Sequence, residues 1–153
     1  MGSETEPRHL YTMTFAFDRS LKSVLLLRKS REHRNPLLRG KWTGPGGLVE
    51  IGETEIEGAV RELREETGLA VESGSFRFVL RFACNCDPSE AEHDVAVYGL
   101  TVPMEELIRA HGEPMEPVDL FSNLPENTVW YLEHMLALVV GRMGQPSGTD
   151  LVR

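Results

Sequence analysis

The sequence predicts an α/β (α+β) fold on three observations. It has 153 residues, 41% hydrophobic and 26% charged, which suits one domain with a proper core. Runs rich in β-formers open the chain and recur after its middle, and between them one segment carries both a helix start signal and a helix stop signal.

Leu10 to Phe17 (LYTMTFAF) and Ser23 to Arg28 (SVLLLR) are rich in strand formers and separated by Asp18-Arg19-Ser20, which predicts two strands in a hairpin or as neighbours in one sheet. Lys29 to Lys41 reads as a polar loop carrying Lys29, Arg31, Arg34, Arg39 and Lys41, and the glycine-rich run Trp42 to Gly47 (WTGPGG) as a backbone-driven turn. Thr54-Glu55-Ile56-Glu57 is a capping box, in which hydroxyl and carboxylate each satisfy an orphan N–H at a helix start. Ile56, Ala59, Val60 and Leu63 recur at helical spacing as one buried stripe, and Gly68 supplies a left-handed stop. The helix therefore covers about Glu55 to Thr67. Phe76 to Cys84 and Asp94 to Val102 read as strands joined by a polar turn, and Met104 to Ala110, after Pro103, as a short helix. Asn127 is read as the N-cap of a last helix, with Val129, Leu132, Leu136, Val139, Val140 and Met143 facing inward and Gly144 as its stop. The domain then spans 9–144, between a disordered start at 1–8 and a flexible tail at 145–153.

Charge narrows the partners. Sixteen Lys and Arg against 24 Asp and Glu give a net charge of −8, which argues against a nucleic-acid polymer or an anionic membrane surface as partner, since either needs a broad basic face. Cys84 and Cys86 stand two apart in a strand-like run, near the upper separation for a disulfide, so reduced thiols are expected. Neither cysteine has a zinc-spaced partner pair, and none of the five histidines forms H-E-x-x-H. No apolar run approaches the ~20 residues of a bilayer span, and the start MGSETEPRH lacks a signal core. Glu6 breaks the myristoylation pattern that Met1-Gly2 opens. A cytoplasmic protein is expected.

The chemistry concentrates on the first helix. Glu62, Glu65 and Glu66 lie within about 100° of one another, opposite the apolar stripe. Glu62 and Glu66, at i and i+4, repel one another unless a cation sits between them, and several hard oxygen donors suit Mg²⁺ or Mn²⁺. On an isolated helix such a face is most often simply solvated. Here it sits in a larger frame: Gly47, five residues, Glu53, seven residues, then Arg61-Glu62-Leu63-Arg64-Glu65-Glu66-Thr67-Gly68-Leu69. This pattern resembles the Nudix box at every fixed position, and the chain resembles the Nudix hydrolase family.

The resemblance implies a mixed β-sheet sandwiched between helices. It also implies hydrolysis of a nucleoside diphosphate linked to another moiety, with Mg²⁺ or Mn²⁺ as cofactor, a small-molecule nucleotide as partner, and a monomer or homodimer. Transferred position by position, the metal ligands are the carbonyl of Gly46 with Glu62, Glu65, Glu66 and a distal carboxylate, either Glu113 or Glu116. Glu62 or Glu65 is the favoured general base. Arg61 can reach Glu53 and Glu65, so its fixed fork can hold a carboxylate in place. Gly47, Arg28 and Lys41 fall to substrate binding, and the basic loop beside the glycines could screen a triphosphate.

Trp42-Thr43-Gly44-Pro45-Gly46-Gly47 is similar to the entry loop of the MutT-type branch, which removes oxidised purine triphosphates. Leu124 to Tyr131 is similar to a stretch in that branch whose two acids read the purine edge, which carries base reading to Glu126, Asn127 and Thr43. All three differ chemically from that branch, so the donor and acceptor pattern offered to a base is altered. The leading expectation is a pyrophosphohydrolase that converts a (deoxy)nucleoside triphosphate, of oxidised or other non-standard type included, to monophosphate and pyrophosphate. Its alternatives are hydrolysis of a dinucleotide, a nucleotide sugar or coenzyme A, or a silent domain that senses nucleotides.

Overall fold

Residues 9–33, 38–84, 92–112, 115–120, 122 and 124–145 are described by a computed structural model. In chain order the elements are β1 (His9–Asp18), β2 (Ser23–Arg28), β3 (Trp42–Thr43), β4 (Gly46–Leu48), α1 (Glu55–Thr67), a 3-10 turn (Ser73–Ser75), β5 (Arg77–Cys84), β6 (His93–Val102), α2 (Met104–Arg109), β7 (Met115–Asp119) and α3 (Leu132–Met143). The expected start and tail, the turn of 85–91, and the residues Arg34, Cys86 and Glu113 lie outside the described residues, except that Gln145 accepts a hydrogen bond from Arg77 Nη1 through its carbonyl.

The sheet runs β3-β2-β1-β6-β5, with β4 paired to β1 and β7 paired to β2. It is mixed: β1 and β6 are parallel over ten positions, from His9 opposite His93 to Asp18 opposite Val102, and the other pairs are antiparallel. Alternation along the strands sends side chains to two cores. Phe15, Phe17, Val24, Leu26 and Val97 meet Leu132, Leu136 and Val139 of α3 on one face. Ala16, Leu25 and Leu100 meet Leu63 of α1 and Leu107 of α2 on the other. A strand covered on both faces is buried on both and is mostly apolar, and Met13 to Phe17 is buried without a break, with Thr14 its one polar residue. The sheet is sandwiched between helices, as the family resemblance implies. No helix among the described residues is long and apolar enough to cross a membrane.

One expectation needs correction, and one strand has no counterpart in the sequence pattern. Asn127 does not cap the last helix, which begins at Leu132 after Tyr131. Asn127 instead takes a left-handed φ of 61°, which its short polar side chain tolerates. Its carbonyl accepts Trp42 N–H at 2.9 Å, and Val129 N–H donates to Trp42 C=O at 3.1 Å. The segment is spent on bridging to β3, and Val129 is core without being helical. Strand β7 escapes the pattern because only Val118 in it is buried and Pro117 interrupts it. Among the described residues β7 pairs only with β2, and such an edge tolerates a proline.

Candidate active site

Helix α1 supplies most of the site, and local chemistry fixes where it starts and stops. Thr54 Oγ1 accepts Glu57 N–H at 3.3 Å while the Glu57 carboxylate accepts Thr54 N–H at 3.1 Å. At the other end Gly68 stands at φ 77° and its N–H reaches the Arg64 carbonyl. Buried Ala59 and Leu63 then press α1 to the sheet, which turns Glu62 and Glu66 toward the glycine strand β4.

Arg61 organises the carboxylates. Its Nε and Nη2 grip both oxygens of Glu53 at 2.8 and 2.9 Å, and Nη2 also donates to the Leu48 carbonyl at 2.9 Å. Its Nη1 donates to Glu62 at 2.9 Å and to Glu65 at 3.1 Å. Five donors thus meet five acceptors, a geometry that only the planar guanidinium offers. The grip of Arg61, with the Glu50 N–H, holds the Glu53 carboxyl down to about 2. The same contact with Glu53, then those with Glu62, raise the Arg61 guanidinium further above its usual range.

The three helix carboxylates are not equivalent. Side chains of Glu62 and Glu66 are 15% and 16% exposed, whereas that of Glu65 is 57% exposed and reaches only as far as Arg61. Lys29 lies opposite the inner pair: its ammonium is 3.4 Å from both oxygens of Glu66 and 3.3 Å from the Gly46 carbonyl. Burial pushes the Glu66 carboxyl up to about 7, with Lys29 pulling it down and Glu62 pushing it up.

That shift sets a pH dependence. With an ordinary value of 4.5 in the unfolded chain, Glu66 keeps in the folded state a proton that the unfolded chain has released. Stability is therefore lost as pH rises from about 4.5 to about 7 and is level above that. Glu66→Gln removes the titration. Melting in chelator is expected to show the wild type losing up to about 3 kcal/mol relative to Glu66→Gln between roughly pH 5 and 8; parallel curves would show that Glu66 is not strained by burial.

The glycines set the approach of β4. A Cβ on Gly46 would lie 1.9 Å from the Thr12 carbonyl oxygen, and one on Gly47 would lie 2.5 Å from the Glu62 carboxylate. Among the described residues no three carboxylate, imidazole or thiol side chains close into a ready cage. The donors nonetheless fit a hard divalent ion: a carbonyl and two carboxylates crowd together, and a cation already bridges the carbonyl and one of those carboxylates in the form of the Lys29 ammonium.

The other expected site residues lie apart from this cluster. Arg28, Arg31, Arg39, Lys41, Trp42 and Asn127 line a cleft of about 390 Å³ together with Gly40. Thr43 is 2% exposed, its hydroxyl 3.9 Å from the Met13 sulfur. Glu126 is exposed, and Glu116 is exposed on β7 in register with Leu26. Sequence places Lys29 only among the loop cations, whereas in the fold it reaches Glu66. Strand alternation could have found it, because Lys29 lies four residues after Leu25, which packs on the α1 face.

Comparison with known proteins adds an independent line. The family described as NUDIX domain matches residues 7–132. Over 55 residues the chain is 44% identical to "m7GpppN-mRNA hydrolase NUDT17" of Xenopus laevis, covering 36% of this chain and 18% of that protein. Over 38 residues it is 55% identical to "Putative 8-oxo-dGTP diphosphatase 2" of Mycobacterium tuberculosis, covering 25% of this chain and 27% of that protein. The matches thus span well under two thirds of these relatives. Among solved structures, the NUDIX domain of Shewanella oneidensis NrtR complexed with ADP ribose superposes with a TM-score of 0.71 at 15% identity, over 90% of each chain.

Proposed function

Since the chain belongs to the Nudix hydrolase family, we propose that it is a Mg²⁺- or Mn²⁺-dependent pyrophosphohydrolase of a (deoxy)nucleoside triphosphate, of the oxidised or non-standard kind included, releasing monophosphate and pyrophosphate. The observation that carries this reading is the cation-seeking cluster of Gly46 carbonyl, Glu62 and Glu66, with the Lys29 ammonium between Gly46 and Glu66. The similarity to a putative 8-oxo-dGTP diphosphatase supports the substrate class.

In this reading Gly46, Glu62 and Glu66 hold the ion, with Glu65 completing the set from the rim. A divalent ion there would neutralise phosphate oxygens and lower the pKa of a water. Glu62, aimed by Arg61 and packed against Gly47, is placed to take the proton from a water attacking phosphorus. Arg61 positions Glu62 and does not touch the reacting atoms. The cleft of Arg28, Arg31, Arg39 and Lys41 has no carboxylate in its lining among the described residues and suits an anionic part of the substrate, with Trp42 and Asn127 beside it for a base. Glu126 and Thr43 remain candidate base readers, Gly47 a candidate substrate contact, and Glu116 a candidate distal ligand that would have to approach the cluster on binding.

Arg61→Lys keeps the charge and loses the fork. Turnover is expected to fall about 10- to 100-fold, the usual cost of loosening a group that orients a ligand, while the melting temperature changes little. Wild-type kcat in Arg61→Lys would remove the positioning role.

The cationic cleft also favours a second reading, hydrolysis of a dinucleotide polyphosphate, whose extra phosphates it could take. A hydrolysis screen over ordinary and oxidised triphosphates, ADP-ribose, dinucleotide polyphosphates, capped RNA and coenzyme A, with and without Mg²⁺ or Mn²⁺, separates these. The proposal expects metal-dependent pyrophosphate release from a triphosphate. Cleavage of dinucleotides alone would favour the second reading, and nucleotide binding without turnover would favour a sensing module.

A further inference from the structure

We propose that Lys29 is a tethered cation which occupies the divalent-metal position of this chain and must be displaced before metal can bind. The inference rests on the metal-dependent reading above and adds a competitor to it. The Lys29 ammonium is 3.3 Å from the Gly46 carbonyl oxygen and 3.4 Å from each oxygen of Glu66. Those are two of the four groups assigned to the ion. Lys29 is 15% exposed and Glu66 16%, so the contact is too sheltered to be a screened surface pair.

Geometry makes the occupation exclusive. A hard divalent ion binds oxygens at about 2.0–2.6 Å. An ion at that distance from both the carbonyl and Glu66 would share their small gap with an ammonium of the same sign, and two like charges a few ångströms apart repel strongly. Lys29 must therefore swing out when metal enters. The lysine is also held in a way that permits this. Its backbone is fixed, with its N–H on the Lys41 carbonyl at 2.9 Å and its carbonyl accepting Gly40 N–H at 3.1 Å, whereas its four-carbon stem is flexible.

The arrangement solves a folding problem. With neither metal nor Lys29, Glu62 and Glu66 would face each other beside the Gly46 carbonyl, and Glu66 would be a sheltered carboxylate with no cation beside it among the described residues. Lys29 supplies that cation to the metal-free protein, and metal affinity is lowered as a result.

The test measures Mn²⁺ affinity directly, by the loss of free-ion signal in electron paramagnetic resonance, at pH about 8.5 and without substrate. Lys29→Met and Lys29→Gln are compared with wild type and with Lys22→Met, which makes the same charge change in the β1–β2 turn. Melting in chelator confirms that each variant is folded, and the Mn²⁺-induced rise in melting temperature is a second readout. Both Lys29 variants are expected to bind Mn²⁺ at least about fivefold tighter than wild type, the upper end of what even an exposed ion pair is worth, and to show a larger Mn²⁺-induced rise, while Lys22→Met shifts far less. Equal Mn²⁺ affinity in wild type and both Lys29 variants, or a gain matched by Lys22→Met, overturns the competition and leaves the metal-dependent reading standing. Absence of Mn²⁺ binding in wild type and Lys29 variants alike overturns both.

Discussion

Glu62→Gln and Glu66→Gln are each expected to lower kcat about a thousandfold while neither protein melts more than a few degrees below wild type. Each substitution keeps the side chain's shape and removes one negative charge from a cluster whose role is to attract a cation and, at Glu62, to accept a proton. Loss of a general base costs about 10²–10⁴ in rate, and loss of an electrostatic stabiliser about 10²–10³. Neither substitution costs much stability because neither carboxylate holds the fold together. Glu62 accepts one bond from Arg61, whose grip on Glu53 and Leu48 remains. Glu66 is raised to about 7 by burial, so an amide there relieves strain above that pH. Glu65→Gln serves as the internal comparison. Its side chain is 57% exposed and among the described residues reaches only as far as Arg61, so a loss nearer tenfold is expected. Steady-state kinetics with saturating metal, beside thermal melts of the same preparations, decide this. Full activity in both inner variants would end the assignment of these glutamates, and a loss at Glu65 as deep as at Glu62 would shift the base toward the rim.

The parts of this fold that could be read from sequence are those set by neighbours along the chain. Helix α1 was legible to the residue, because its capping box, apolar stripe and left-handed Gly68 are all local. The strands β1, β2, β5 and β6 were legible as strands. Their order was not: the parallel pairing of β1 with β6 joins residues more than eighty positions apart, and no local signal encodes it. Strand β7 rests on backbone pairing with β2 and carries a proline, so side-chain pattern says nothing of it. Asn127 shows how a residue suited to two roles misleads. Its side chain suits a helix cap, but it suits a left-handed bend as well, and the bridge to Trp42 takes the second.

The site follows the same division. Glu53, Arg61 and Glu62 were legible together because a helix and the turn before it bring them within reach. Lys29 was legible only as one more loop cation, since its contact with Glu66 spans 37 positions and depends on how α1 lies across the sheet. The cationic loop proves to be divided: Arg31, Arg39 and Lys41 line a cleft with Arg28, while Lys29 turns to the carboxylates.

The neighbouring glycines of β4 are expected to fail in different ways when each is replaced by alanine. Gly46→Ala puts a methyl group 1.9 Å from the Thr12 carbonyl oxygen and 2.8 Å from its carbon. Those atoms are backbone of β1, locked by the pairing of Met13 with Gly46 and Thr12 with Gly47, so the strands themselves must part. Overpacking of a rigid contact costs about 1–3 kcal/mol and more where backbone must move, and we expect at least about 3 kcal/mol of lost stability in denaturant titration. Gly47→Ala meets instead the far end of a side chain, the Glu62 carboxylate at 2.5 Å. Glu62 can rotate away, so the fold survives with a near-wild-type melting temperature, and kcat falls about a hundredfold or more because the carboxylate leaves its position beside β4. The double variant Gly47→Ala, Glu62→Gln separates this from a general disturbance. If the methyl acts only through Glu62, adding it to Glu62→Gln lowers the rate no further, whereas independent effects would multiply. Wild-type turnover in Gly47→Ala would show that Glu62 need not stand against that glycine for catalysis, and a Gly47→Ala protein as unstable as Gly46→Ala would show that the side chain is not free to yield.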